Sequence, residues 1–89
     1  MDARAVRVRG RHAHDSPRGP VSAVFYSADG AEPPHVHIER DRAIAKYWLS
    51  PVRLARSRGF GANELRDLER LAAAHEAALL EAWHDYFDA

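Results

Sequence analysis

The run His35-Val36-His37-Ile38-Glu39, directly after Pro33-Pro34, gathers residue types that ligate metals or move protons. In an extended strand successive side chains alternate, so His35, His37 and Glu39 share one face while Val36 and Ile38 share the other. The two apolar residues suit a core, which leaves the imidazoles and the carboxylate on an open face. Pro33 and Pro34 fix φ and hold the approach extended, limiting the wandering of His35. With a two-residue turn at Arg40-Asp41, Glu39 pairs with Arg42, His37 with Ile44 and His35 with Lys46. Lys46 and Trp48 then join the histidines, and Ala43 and Ala45 face the core. A three-residue turn would invert the second strand.

This face supports several readings. In metal-free acid–base chemistry, His35, His37, Glu39 and Lys46 form the catalytic set: His37 is the base, oriented by Glu39 or His35. Lys46, helped by Arg53 or Arg58, stabilises a developing anion on a ribose phosphate. This reading requires no cofactor. A second reading is a transition-metal site on the chelating pair His35 and His37, with Glu39, His12 or His14 as further ligands. The charge of Lys46 counts against it. A histidine-triad-like nucleotide hydrolase lacks its third histidine, and a solvated polar sheet face is the plainest alternative.

The elements that must position these residues are legible in outline. "ARAVRVRG" alternates like a short edge strand, and residues 10–20, with their prolines and glycines, read as a flexible loop. "VSAVFYS" is a strand ended by the turn residues "ADGAEPP". "HVHIE" and "AIAKYWL" form a hairpin, and "SPVRLARSRGF" reads as a turn followed by an extended segment. From Gly61 as N-cap, Leu65, Leu68, Ala72, Leu79, Trp83 and Tyr86 recur with helical spacing as one apolar stripe. The expected fold is α+β: one domain over residues 1–89, with an antiparallel sheet of three to four strands packed against one long C-terminal helix.

Composition narrows the function classes. Without cysteine there is neither a disulfide framework nor a thiolate metal site. No apolar run approaches the roughly 20 residues that span a bilayer, and the first fifteen residues lack the apolar middle of a signal peptide. A cytoplasmic protein without membrane contact is expected. Residues 1–60 carry eleven Arg or Lys against six Asp or Glu, and residues 61–89 carry two against seven. Such a split either presents a basic surface to an anionic partner or draws the two parts of the fold together. Trp48 and Tyr47, interleaved with Arg53, Arg56 and Arg58, would serve as a base-stacking and phosphate-holding surface, or as ordinary packing and solvated charge. Glu76, near the inward stripe, is a candidate partner for one of these arginines.

The segments "EPPHVHIER", "AKYWLSPVRLARSRGF" and "LLEAWHDYF" together resemble a bacterial family catalogued as domain of unknown function 4160, over residues 21–88. The resemblance carries over Pro33, Pro34, His35, His37, Lys46, Trp48, Leu49, Gly59, Phe60 and Trp83. It implies a component of a toxin–antitoxin-like two-gene module, binding a small protein encoded by the neighbouring gene, with RNA as a further target. A non-enzymatic binding or regulatory module is the alternative, and homodimerisation through the open face or a sheet edge stays open. The stretch "HAHDSPRGP" departs from the family pattern, so no shared role passes to His12 or His14.

Overall fold

The computed structural model describes residues 5–7, 13–16 and 19–88, with side chains from residue 19 onward. The elements run β1 (Ala5–Arg7), β2 (Ala13–Ser16), β3 (Gly19–Tyr26), a short 3-10 helix (Ser27–Ala31), β4 (His35–Arg40), β5 (Ala43–Leu49), β6 (Val52–Arg58), α1 (Ala62–Ala74) and α2 (Glu76–Phe87). The four longer strands pair antiparallel in the order β3-β4-β5-β6, and both β1 and β2 pair with the outer edge of β3. The fold is α+β, as the strand-then-helix pattern implies. Residues 10–20 are not simply a loop, because Ala13–Ser16 and Gly19–Ser22 form a paired ladder.

Parity along the strands decides what lies beneath the helices. Val21, Ala23 and Phe25 of β3, Val36 and Ile38 of β4, and Ala45, Tyr47 and Leu49 of β5 form one apolar face. Leu68, Ala72, Leu79 and Trp83 close over it, with the Phe25 and Trp83 rings edge to face at 5.5 Å. The last third is two helices rather than one, with the break at His75. Gly61 is the N-cap of α1, as expected. Tyr86, assigned to the inward stripe, is 42% exposed, and Phe87 packs against the core in its place. The buried acid of the helical layer is Glu64, held by both guanidinium nitrogens of Arg40, whereas Glu76 has no ion-pair partner among the described residues.

Gly59 sets the approach of the end of β6 to the start of β5. Its φ is +91°, and a Cβ there would lie 3.0 Å from the Ala43 backbone, so the close crossing requires glycine.

Tyr47 joins the two layers. Its ring is fully buried on the helix side, and its hydroxyl donates to the Leu65 carbonyl at 2.6 Å. Proposed as part of a binding surface, it is instead core, because strand alternation places it opposite Val36. Burial raises the phenol to about 12. The folded chain thus keeps a proton that an unfolded tyrosine releases near pH ~10, and the resulting stabilisation is complete below ~10 and lost as pH rises through about 12. Tyr47→Phe should cost about 1–2 kcal/mol at neutral pH through the lost hydrogen bond. It should also flatten the decline in stability between pH ~10 and about 12, as measured by urea unfolding across that range.

Candidate functional site

The site is built at one end of the sheet, on the face turned away from the helices. The hairpin turn is Asp41-Arg42, one residue later than expected, with Asp41 at φ +54°. Because both strands shift together, the pairing moves by two residues and parity is kept. His35, His37, Glu39, Ile44, Lys46 and Trp48 therefore share one face as expected, but Lys46 stands opposite His37, and His35 pairs with Trp48.

That face is covered where it carries the histidines. His35 is 0% exposed, His37 7% and Lys46 8%. The expectation of an open, solvated site fails here because the β3–β4 connection folds back as the 3-10 helix and carries Asp29 over the strand end. Gly30 seats this helix against α2, since a Cβ there would meet the Phe87 ring at 2.7 Å. Tyr26 donates its backbone N–H to Asp29 Oδ2 at 3.0 Å, which pins the carboxylate. The Trp83 ring reaches round from α2 to His35, with centroids 5.0 Å apart, and Trp48 meets the other imidazole edge at 5.5 Å.

Three of the polar side chains on this face, those of His35, Glu39 and Lys46, have an internal hydrogen-bond partner. His35 Nδ1 lies 2.9 Å from the Pro33 carbonyl, an acceptor, so Nδ1 carries the proton and Nε2 is directed inward. Lys46 Nζ donates to Glu32 Oε1 at 2.6 Å and lies 4.7 Å from the centre of the Trp48 ring. The Tyr26 hydroxyl donates to Glu39. Burial holds His37 below the usual imidazole range, against the opposing pull of Asp29. Of the four residues assigned to catalysis, His35, Glu39 and Lys46 are thus committed to neighbours, and His37 forms part of the wall of an open groove.

That groove, of about 330 Å³, is lined by His37, Ile44, Lys46, Arg56, Ser57 and Arg58. A second concavity, formed by Pro33, Pro34, Trp48, Ser50, Pro51 and Arg53, lies along the same two strands. A β-bulge makes the basic row possible. Lys46 pairs with Arg56 while Tyr47 pairs with Leu54, so Ala55 is an extra residue in β6. In a regular strand Arg53 and Arg56, three apart, would point to opposite faces; the bulge puts Arg53, Arg56 and Arg58 on the side of Trp48 and Lys46. All three arginines are exposed and take part in no ion pair among the described residues.

Asp29 is the site residue that sequence reasoning missed. "ADG" reads as turn chemistry, yet the connection joins two paired strands, so its carboxylate has to lie near their ends. His12 lies outside the described residues, as does the side chain of His14. Pro33-Pro34, the histidine face, the Lys46–Trp48 strand and the closing helix with Trp83 thus stand in one structural unit. The family model described as domain of unknown function DUF4160 matches residues 22–84. The chain belongs to this family. No curated protein and no solved structure is detectably similar to it. The family match encloses Asp29, both histidines, Lys46, all three β6 arginines and Trp83, so the covered site and the basic row lie within its span. Among the described residues, no helix is long and apolar enough to cross a membrane.

The Glu32–Lys46 pair gives the site a pH signature. The hydrogen bond from Lys46 holds Glu32 below its ordinary value of 4.5. Its stabilising effect is therefore present above pH 4.5 and lost as pH falls through the lowered folded value. Glu32→Gln should lower stability at pH 7 by leaving the buried ammonium without a counter-charge. The gap between variant and wild type should close as pH drops below 4.5, as followed by urea midpoints at several pH values.

Proposed function

We propose that this chain is one component of a toxin–antitoxin-like two-gene module, binding a small partner protein and, through its β5–β6 face, RNA. The observation that carries the RNA part is the bulge at Ala55, which aligns Arg53, Arg56 and Arg58 beside Lys46 and Trp48. Exposed guanidinium groups hold phosphates, and an indole among them offers a stacking surface, the combination that suits single-stranded nucleic acid. A bulge that serves only pairing has no reason to collect three unpaired cations on one side. The acidic C-terminal part does not neutralise this row: Glu64 pairs with Arg40 on the helix side, and Arg53, Arg56 and Arg58 take part in no ion pair among the described residues.

For the partner protein, β6 offers an edge. It is the last strand of the sheet, paired on one side by β5. An exposed strand edge accepts an added strand from another chain. Binding, rather than turnover, is the activity this face is suited to, because three of the four residues assigned to acid–base work are engaged internally. His37, in the groove wall, is the residue on which RNA cleavage would depend, and unchanged turnover after His37→Ala would exclude that step.

Fluorescence anisotropy with a short single-stranded RNA, at several salt concentrations, tests the reading. The wild type should bind with salt-dependent affinity. The triple variant Arg53→Ala, Arg56→Ala, Arg58→Ala should bind at least about tenfold more weakly, its salt slope falling by about 0.7 per lost phosphate contact. No binding by the wild type at low salt, or equal binding by the triple variant, would overturn the RNA reading. Co-purification with the neighbouring gene product tests the partner independently.

A further inference from the structure

We infer that Asp29, His35 and His37 form a binding site for a divalent transition-metal ion, zinc in the first instance. The site goes beyond the binding function proposed for the β5–β6 face and stands on separate observations. His35 Nε2 and His37 Nδ1 are both buried and have no hydrogen-bond partner among the described residues. Both converge on one carboxylate oxygen: Asp29 Oδ2 is 3.1 Å from His35 Nε2 and 3.5 Å from His37 Nδ1. Neither approach is aligned as a hydrogen bond.

This arrangement needs a positive charge in its centre. The Pro33 carbonyl takes the Nδ1 proton of His35, so in the neutral ring Nε2 presents a lone pair to the lone pairs of a carboxylate. Opposed lone pairs in a water-poor space repel unless a cation lies between them. A backbone carbonyl that fixes one ring nitrogen and leaves the other as donor is how metal-binding histidines are held. The dimensions also suit an ion. Donors bonded at about 2.0–2.1 Å to a tetrahedral zinc stand about 3.3 Å apart, close to the two N···O separations here. All three donor atoms lie within 4.8 Å of one another.

The surroundings favour a dication. Lys46, which reads from sequence as a repelling charge, is paired with Glu32. Asp29 and Glu39 then supply negative charge near two imidazoles, and no other cationic side chain contacts the three donors among the described residues. Two nitrogens and one carboxylate oxygen select a borderline transition metal over calcium or magnesium, which take oxygen ligands. Three protein donors leave at least one position for water or an external ligand.

The test is calorimetric titration of zinc chloride into full-length untagged protein stripped with a chelator, with cobalt(II) absorption as a second readout. One equivalent should bind, and the cobalt spectrum should show the intense visible bands of a tetrahedral site. Asp29→Asn keeps an acceptor for the Tyr26 N–H while removing the charge; it and His37→Gln should each weaken binding about 100-fold or more. His84→Gln, at the exposed His84–Asp88 pair, should bind as the wild type does. The triple arginine variant should also keep full zinc affinity, so failure of the RNA reading and failure of this one are separable. Absence of stoichiometric binding by the wild type would overturn the site. Retention of affinity by the Asp29 and His37 variants, or its loss in His84→Gln or in His12→Gln with His14→Gln, would overturn it equally.

Discussion

Enclosing two imidazoles on the face of a sheet that should belong to solvent is the constraint from which the other features of this end of the molecule follow. Each ring has two polar nitrogens, and a buried polar atom without a partner costs about 1–3 kcal/mol. The chain answers with carboxylates and carbonyls drawn from sequence-adjacent turns: Pro33 caps one nitrogen of His35, and Asp29 is brought over both rings by the 3-10 helix. Glu32 satisfies the ammonium of Lys46, and Tyr26 satisfies Glu39. The segment Ser27–Pro34 is thereby a lid that brings Asp29, Glu32 and the Pro33 carbonyl onto the strand residues beneath it.

The β6 side of the same face, in register with the histidines across β5, is governed by backbone geometry rather than by desolvation. A single extra residue at Ala55 reverses the alternation of β6 and gathers three arginines on the side of Trp48. Where the histidine end is covered, this row is exposed and takes part in no ion pair among the described residues. One face thus carries two distinct environments a few residues apart: a dry cluster suited to a cation and a wet row suited to polyanions. His37 and Lys46 belong to both, since they lie under the lid and also line the groove.

Period-two alternation made the division of β4 and β5 legible. Val36 and Ile38 inward with His35, His37 and Glu39 opposite required only the strand assignment, and it survived a misplaced turn because shifting a hairpin by a whole residue in each strand preserves parity. The helical stripe was legible for the same reason, apart from Tyr86 and the break at His75, where local backbone hydrogen bonding at a cap overrides periodicity. Three features were not legible. Asp29 lies in a segment whose composition signals a turn and says nothing about which way the turn folds. The bulge leaves no mark in "VRLARSR", since an inserted alanine resembles any strand residue. The pairing of Ala13–Ser16 depends on a neighbouring edge, not on its own sequence, which is rich in turn formers.

The claim that a cation completes the cluster is tested most directly by diffraction. Crystals of the wild-type chain grown with one equivalent of zinc, measured on both sides of the zinc absorption edge, locate the ion without reference to any assumed geometry. An anomalous peak about 2.0–2.1 Å from His35 Nε2, His37 Nδ1 and Asp29 Oδ2 is the expected result. A map with its peak at the His84–Asp88 pair, or with none at all beside the two histidines, would contradict it.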